Sequence, residues 1–172
     1  TARILHGFGC QLLCHDLVQA EEIQRLGGRY VSLAELYAQS DIISLHCPLT
    51  PDTKHLINHY SIGSMKDGVM LINTSRGALV DSKAIIDGLK SRKIGYLGLD
   101  VYEQEADLFF ENLSEQMIDD EVFKRLLTFP NVLITGHQAF FTREALQEIC
   151  QITSDNLLAF ASNTETGNEL VN

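Results

Sequence analysis

The sequence predicts an α/β fold built on a doubly wound parallel sheet, and two observations lead to this prediction. Short apolar runs typical of strands alternate along the chain with segments of helical periodicity. The runs are apolar throughout instead of alternating with polar residues, as in strands that are buried on both faces of a parallel sheet. With 172 residues, 45% of them hydrophobic and 21% charged, the chain can bury a core of ordinary size.

The first quarter of the chain contains short elements separated by glycine and polar turns. Thr1 to His6 is predicted to be helical and to end at Gly7-Phe8-Gly9, because glycine is the usual helix stop. Ser32 is the expected N-cap of a helix at 33–39. The other elements predicted here are strands at 10–14, 30–31 and 41–45 and a helix at 21–26.

Longer elements are predicted in the remainder of the chain. Pro48 and Pro51 mark a loop, and Thr142 is the expected N-cap of a long final helix that reaches about Ala161. Three apolar runs at 69–72, 96–99 and 132–134 are predicted to be strands, and helical segments are predicted at 61–65, 82–92 and 119–127.

Composition excludes some partners and indicates a compartment. A net charge of -10 argues against nucleic acids and anionic membranes, because both attract basic surfaces. We find no secretory signal pattern and no apolar run of membrane-spanning length. None of the four cysteines forms a C-x-x-C pair, and Cys10 and Cys14 would lie roughly 13 Å apart in a strand, too far for a disulfide. We therefore expect reduced cysteines and a cytoplasmic protein.

Each of the three long apolar runs leads into a residue that could take part in catalysis. The run at 69–72 leads to Arg76, the run at 96–99 to Asp100 and Glu105, and the run at 132–134 to His137. In an open α/β sheet, ligands bind outside the carboxyl ends of the strands. We therefore expect an arginine, a carboxylate and a histidine at one edge, where they could bind an anionic substrate and move a proton.

Arg76, Glu105 and His137 also have ordinary structural interpretations. The Arg76 guanidinium can bind a carboxylate with two parallel hydrogen bonds, and Gly77 permits close backbone approach, whereas the alternative is a surface salt bridge. Alone, His137 would more often be structural and Glu105 more often solvated. Together they make chemical sense, because a carboxylate beside an imidazole orients it and raises its pKa, which favours proton donation near neutral pH.

Four further residues could bind ligands. A carboxylate at Asp16, just past a strand, can accept hydrogen bonds from both hydroxyls of an adenosine ribose and repel a 2′-phosphate; a turn or N-cap aspartate is the alternative. Asp100 could accept a hydrogen bond from an amide-bearing ligand or cap the following segment. His55 and His59 are spaced like metal ligands on one helical face, but no third ligand is evident. An exposed polar face is favoured there, and we predict no metal site.

Four segments resemble the D-2-hydroxyacid dehydrogenase family, and within it the fermentative bacterial D-lactate dehydrogenases. They are S-L-H-C-P-L-T at 44–50, N-T-S-R-G-A-L-V-D at 73–81, G-L-D-V-Y-E at 98–103 and T-G-H-Q-A-F at 135–140. The resemblance implies a Rossmann-like sheet that is incomplete, with the first strand and the G-x-G-x-x-G loop expected upstream of residue 1. It also implies a partial NAD-binding domain at 1–141 and a C-terminal helix and tail at 142–172 that would return to the substrate domain.

The resemblance also implies roles for individual residues. Arg76 would bind the substrate carboxylate and carbonyl, His137 would donate a proton to the ketone oxygen, and Glu105 would be the partner of His137. Asp16 would bind the adenosine ribose, and Asp100 would lie near the nicotinamide carboxamide. The complete set implied for NAD is Asp16, Cys47, Pro48, Thr53, Thr74, Ser75, Arg76 and Asp100. Thr53 is a less common residue at its position in the family.

The implied activity is the reduction of pyruvate to D-lactate with NADH by an intact, homo-oligomeric protein without nucleic-acid or membrane partners. The chain is expected to be a fragment that is inactive and binds NAD weakly. Two alternatives stay open: a dehydrogenase for another 2-keto acid, and a non-catalytic, NAD-sensing interaction protein of the same superfamily. The segment at 107–111 (D-L-F-F-E) resembles the D-lactate dehydrogenases, and together with the acidic composition it favours the enzyme.

Overall fold

Strands and helices alternate along the chain, as the sequence predicts. A computed structural model describes residues 1–104 and 119–168. Up to residue 64 the elements are α1 (Ala2–Gly7), β1 (Leu13–Cys14), α2 (Glu21–Arg25), β2 (Arg29–Tyr30), α3 (Leu33–Gln39), β3 (Ile42–Leu45) and α4 (His59–Ser64). They are followed by β4 (Val69–Asn73), a 3₁₀ turn (Gly77–Leu79), α5 (Ser82–Lys90), β5 (Ile94–Leu99), α6 (Glu121–Leu127), β6 (Val132–Ile134) and α7 (Arg143–Ser162).

Every strand pairing is parallel, which confirms the predicted α/β fold class. The larger sheet has the order β3-β4-β5-β6, and β1 pairs with β2 in a separate two-stranded sheet. In the larger sheet the registers align Leu45 with Asn73, Asn73 with Leu99, and Leu99 with Ile134. The four strands therefore end level with one another, so the segments that follow them share one edge.

The hydrophobic core lies against one face of the larger sheet. Residues that alternate along the strands are almost completely buried on this face, and α5 contributes most of its length to the same core. The core strand residues on this face are Ile43, Leu45, Val69, Leu71, Ile94, Leu97 and Leu99. The opposite face is less covered in the described residues, because Ile42, Tyr96 and Leu133 are about half exposed or more.

Helix caps explain where several elements begin. Ser32 and Thr142 accept hydrogen bonds from the backbone N–H groups of Glu35 and Ala145, so both predicted caps are confirmed. Helix α4 starts at His59, two residues before the predicted turn at 61–65, because Asn58 and Ser61 form a capping box.

Two predicted elements are shorter than expected. Of the strand predicted at 10–14, only Leu13–Cys14 forms, since its partner β2 supplies only two residues. The helix predicted at 82–92 ends at Lys90, and Arg92 has a left-handed φ of 60° that ends the helical path.

The chain divides into two compact units, residues 1–136 and residues 137–172. The first contains all the described strands, and the second contains α7, which has no buried residue. The predicted division at residues 141 and 142 stays a prediction. In the described part of the chain, no helix combines the length and apolarity that crossing a membrane requires.

Candidate active site

Hydrogen bonds connect the ends of β4 and β5 with the segments that follow β5 and β6. The Asp100 N–H donates to the Asn73 carbonyl oxygen at 2.9 Å, and the Thr135 N–H donates to the Leu99 carbonyl oxygen at 2.9 Å. The Thr135 hydroxyl also donates to Oδ1 of Asp100, whose side chain is almost fully buried. These bonds set the relative positions of the three strand ends at the carboxyl edge of the sheet.

Asn73 shapes the turn that presents Arg76. Its side chain is fully buried, its Nδ2 donates to the Arg76 carbonyl oxygen at 2.9 Å, and its Oδ1 accepts from the Ser75 N–H at 3.1 Å. Arg76 itself is exposed, and its Nη1 donates to the Ser75 carbonyl oxygen at 2.8 Å. The turn is rigid while the guanidinium is accessible, which suits capture of an anion from solution. This role of Asn73 was not predicted from the sequence, although an asparagine before a Ser-Arg-Gly turn is a signal for it.

Gly77 brings this turn into contact with the segment after β5. A Cβ atom on Gly77 would lie 2.1 Å from the carbonyl carbon and oxygen of Tyr102 and 2.5 Å from the Glu103 nitrogen. Such distances are far below van der Waals contact, so only glycine fits here. The close backbone approach expected at Gly77 is confirmed, and its partner is the peptide bond between Tyr102 and Glu103.

The loop after β3 packs beside the Arg76 turn. The Ser75 hydroxyl donates to the Cys47 carbonyl oxygen at 2.7 Å. Within the loop, the Thr53 hydroxyl donates to the Pro48 carbonyl oxygen at 2.7 Å and accepts from the Thr50 N–H at 2.8 Å. Burial raises the pKa of the Cys47 thiol, which therefore stays protonated at neutral pH. Cys47, Pro48, Thr53 and Ser75 thus lie in one connected surface, and Thr53 maintains the shape of the loop.

Asp16 lies just past the carboxyl end of β1 and is exposed. Its Oδ1 accepts a hydrogen bond from the Val18 N–H at 3.2 Å, which is the turn role that the sequence left open. The negative charge of Asp16 is also one of the causes that raise the pKa of the Cys47 thiol. The two acidic residues predicted to bind NAD therefore differ, since the Asp16 carboxylate is exposed and the Asp100 side chain is almost fully buried. Their binding to a ribose and to an amide stays a prediction.

Of the two remaining catalytic candidates, Glu105 and His137, the structure describes only His137. Glu105 lies outside the described residues. His137 is the first residue of the second unit, has a left-handed φ of 52°, and packs its ring edge-on against Phe140 with the centroids 6.4 Å apart. A left-handed φ is uncommon among residues other than glycine, and histidine is one of those that adopt it more often. The meeting of Arg76, Glu105 and His137 at one edge stays a prediction.

His55 and His59 do not share a helical face, so the spacing argument for them was wrong. Helix α4 begins at His59, and His55 lies in the preceding turn with a left-handed φ of 51°. His55 Nε2 lies 2.6 Å from Oε1 of Glu103, whereas His59 Nε2 lies 4.0 Å from a carboxylate oxygen of Asp87. Across residues 1–104 and 119–168, no three His, Cys, Asp or Glu side chains are arranged to bind a metal. All four cysteines are free thiols.

Comparison with known families identifies the chain. Residues 1–139 match the family described as D-isomer specific 2-hydroxyacid dehydrogenase, NAD binding domain. The chain belongs to this family. The match confirms the resemblance seen in the four motifs, the Rossmann-like fold class, and NAD as the cofactor of the domain.

Individual relatives agree with this assignment. The chain is 54% identical over 169 residues to the D-lactate dehydrogenase of Escherichia coli, covering 98% of the chain and 51% of that protein. It is 54% identical over 160 residues to a 2-hydroxyacid dehydrogenase homolog of Haemophilus influenzae, covering 93% of the chain and 48% of the relative. It superimposes on the D-lactate dehydrogenase of Aquifex aeolicus, solved with NAD and lactic acid, with a TM-score of 0.86 and 39% identity, over 94% of the chain and 49% of that structure. The chain therefore spans about half the length of the curated relatives it matches.

Proposed function

We propose that the full-length protein containing this chain is an NAD-dependent D-lactate dehydrogenase that reduces pyruvate. The observation that carries the proposal is the presentation of Arg76, an exposed guanidinium on a turn fixed by a fully buried Asn73. The turn lies at a sheet edge level with the segment that leads to Glu105. The likeness to an enzyme solved with NAD and lactic acid supports the same substrate class.

In this proposal Arg76 binds the substrate through two parallel hydrogen bonds to its carboxylate. A lysine would offer only a point charge, so the guanidinium also sets the orientation of the neighbouring ketone. Because the whole chain carries a net charge of -10, an anion must be attracted by such a local cation and not by the overall field.

His137 then donates a proton to the ketone oxygen, and Glu105 orients the imidazole and stabilises its protonated form. Asp16 binds the adenosine ribose, Asp100 accepts a hydrogen bond from the nicotinamide carboxamide, and the surface formed by Cys47, Pro48, Thr53, Thr74 and Ser75 lies along the cofactor. When bound, NADH supplies the hydride. The residues of this chain supply binding, orientation and the proton.

The alternative substrate is another 2-keto acid, since the Haemophilus influenzae relative has the broader description of 2-hydroxyacid dehydrogenase homolog. The same Arg76 and His137 chemistry would apply, because it acts on the carboxylate and ketone that all 2-keto acids share. We further propose that the protein is cytoplasmic and homo-oligomeric and acts on a small acid, without nucleic-acid or membrane partners.

The test is a steady-state assay of NADH oxidation by the purified full-length protein with pyruvate, 2-ketobutyrate, hydroxypyruvate and glyoxylate. We expect the highest kcat/KM with pyruvate and D-lactate as the product in a chiral assay. A clearly higher kcat/KM with another 2-keto acid would identify that acid, in place of pyruvate, as the substrate. Absence of activity with every acid, combined with tight NADH binding, would favour the non-catalytic alternative. The 172-residue chain alone is expected to give no measurable pyruvate reduction and only weak NADH binding.

A further inference from the structure

We infer that His55 and Glu103 are positioning residues for Arg76, because their side chains join the two segments that enclose the turn after this arginine. The turn is the 3₁₀ turn Gly77–Leu79, which begins directly after Arg76. The consequence for catalysis rests on the proposed function, since Arg76 has a substrate to bind only in a dehydrogenase.

One side of the turn is held by the segment before α4. The His55 N–H donates to the Ala78 carbonyl oxygen at 2.8 Å, and the Ile57 N–H donates to the Leu79 carbonyl oxygen at 3.0 Å. Ile57 also forms an isolated parallel bridge with Val80. The backbone at 55–57 therefore runs beside residues 78–80 like a short neighbouring strand.

The other side of the turn packs against the segment after β5. A Cβ atom on Gly77 would lie 2.1 Å from the Tyr102 carbonyl and 2.5 Å from the Glu103 nitrogen, so the two backbones are in direct contact. Packing resists compression strongly, but the attraction between each pair of atoms is weak. A further link between the flanking segments would therefore keep this contact closed.

His55 and Glu103 provide such a link. Nε2 of His55 lies 2.6 Å from Oε1 of Glu103, and Oε2 of Glu103 accepts a hydrogen bond from the Ser82 hydroxyl at 3.1 Å. Ser82 is buried and is the first residue of α5. The pair thus ties the segment at 55–57 to the segment at 102–103, with the turn enclosed between them, and Ser82 holds the carboxylate from a third segment.

Movement of the turn would be passed on to Arg76 through its backbone. The Arg76 carbonyl oxygen accepts hydrogen bonds from the Leu79 N–H at 3.2 Å and from Asn73 Nδ2 at 2.9 Å. The guanidinium lies at the end of a long, exposed side chain, so a small backbone rotation displaces it further than the backbone itself moves. Misplacement of a group that orients the substrate by about 1 Å can cost on the order of a hundredfold in rate.

The His55–Glu103 pair itself should contribute little to the stability of the fold. The two side chains are 36% and 26% exposed, and solvent weakens the attraction within pairs of this kind. A variant that lacks the pair should therefore fold. Its loss should appear in the use of the substrate and in the motion of the turn.

The test uses His55→Asn, Glu103→Ala and Glu103→Gln in the full-length protein, with His59→Asn as the matched control. Asparagine adopts a left-handed φ readily, so His55→Asn keeps the φ of 51° at this position while its shorter side chain withdraws from Glu103. Glu103→Gln keeps an acceptor for the imidazole and a polar partner for Ser82. His59 lies on α4 with Nε2 4.0 Å from a carboxylate oxygen of Asp87.

We expect kcat/KM for pyruvate to fall about 10- to 100-fold in His55→Asn and in Glu103→Ala. Glu103→Gln should recover most of this loss. The double variant that combines His55→Asn with Glu103→Ala should be no slower than the slower single variant, because the two side chains form one link. The Kd for NADH should change much less, since NADH has several other candidate partners. His59→Asn should match the unsubstituted protein, and all variants should share one thermal unfolding midpoint.

Native-state hydrogen exchange gives a second readout that does not depend on activity. The Leu79 N–H donates to the Arg76 carbonyl oxygen, so its exchange reports opening of the turn. This amide should exchange about tenfold faster when either partner of the pair is removed. The Leu97 N–H, which donates to the Asn131 carbonyl oxygen within the sheet, should exchange at the rate of the unsubstituted protein.

Three outcomes would overturn the positioning role. They are an unchanged kcat/KM in both His55→Asn and Glu103→Ala, an unchanged exchange rate of the Leu79 amide, and a fall in kcat/KM matched by equal losses in NADH binding and thermal stability. The proposed function is tested separately by the unsubstituted protein. If that protein reduces no 2-keto acid, the dehydrogenase assignment fails, whereas faster exchange of the Leu79 amide in the variants would still support the link between the pair and the turn.

Discussion

The backbone N–H of Asp100 donates a hydrogen bond to the carbonyl oxygen of Asn73, the last residue of β4, at 2.9 Å. This bond extends the β4–β5 ladder one residue past the end of β5. It aligns the turn that carries Arg76 with the segment that carries Asp100. The relative positions of Arg76 and Asp100, both of which we propose to bind ligands, thus depend on backbone hydrogen bonds. Side-chain substitutions nearby can test this dependence.

Substitution of Gly77 by alanine should destabilise the chain. The added Cβ would lie 2.1 Å from the Tyr102 carbonyl, so backbone must move, and overpacking of this kind typically costs about 1–3 kcal/mol. The measurement is urea unfolding of the 172-residue chain. Gly63→Ala is the matched control, because Gly63 lies in α4 with no atom within 4 Å of the added Cβ, and alanine should raise helix stability slightly. Equal midpoints for Gly77→Ala and the unsubstituted chain would contradict the close approach.

Substitution of Asn73 should loosen the Arg76 turn. Asn73→Ala removes partners from the Ser75 N–H and the Arg76 carbonyl oxygen in a buried site, which should cost about 1–3 kcal/mol. Asn73→Asp keeps the acceptor for Ser75 but places a carboxylate oxygen against the Arg76 carbonyl oxygen in a fully buried site, so a loss at least as large as that of Asn73→Ala is expected. Urea unfolding gives the free energies, and KM for the 2-keto acid in the full-length protein should rise in the same order. Unchanged stability in Asn73→Ala would show that water or a neighbour replaces the lost bonds.

The strands and the caps were predictable from sequence because their signals are local. The apolar runs that became β4, β5 and β6 and the caps Ser32 and Thr142 needed only neighbouring residues to be recognised. The contacts that shape the site are not local. His55 and Glu103 are 48 residues apart and Asp100 and Thr135 are 35 apart, so no spacing rule joins them. Residues 10–12 were wrongly predicted to be part of a strand for a related reason. A strand forms only where a neighbouring strand pairs with it, and β2 pairs only with Leu13 and Cys14.

The full-length protein should prefer NADH over NADPH. A 2′-phosphate would lie against the Asp16 carboxylate, and the sequence places no arginine beside Asp16 to offset the repulsion. Asp16→Ser should lower the ratio of kcat/KM for NADH to kcat/KM for NADPH, because it removes the negative charge and keeps a hydrogen-bonding group. The measurement is kcat/KM for each cofactor in the steady state. Comparable values for NADH and NADPH in the unsubstituted protein would contradict the ribose-binding role.

Replacing His137 by alanine in the full-length protein should lower turnover by roughly two to four orders of magnitude, the range expected for loss of a general acid. The Kd for NADH should barely change, since the imidazole serves the substrate. Fluorescence titration with NADH and steady-state kinetics give the two quantities. His6→Ala, on the exposed helix α1, is a suitable control for histidine loss. Unchanged turnover would contradict the role of His137 as the general acid, and a large rise in the Kd for NADH would indicate that the imidazole serves the cofactor instead.

The stability of the chain should fall between about pH 10 and pH 12 through Tyr37. Burial, followed by the nearby Cys47, raises the pKa of Tyr37 to about 12 from an ordinary value near 10. The folded state then keeps a proton that the unfolded state releases, so the stabilisation is complete below pH 10 and disappears as the pH rises through 12. The difference in unfolding free energy between the chain and Tyr37→Phe should shrink over this range by on the order of 2 kcal/mol. A constant difference across these pH values would exclude Tyr37 as the source.

Asp100 takes part in two of the links along the carboxyl edge, one through its N–H to Asn73 and one through its carboxylate to Thr135. Because neighbouring links share this single residue, we expect the edge to open as one cooperative unit. In native-state hydrogen exchange, the amides of Ser75, Asp100 and Thr135 should therefore exchange through one common opening, with similar free energies and similar denaturant dependence. A fluctuation that begins at the β6 end would in this way reach the arginine turn two strands away.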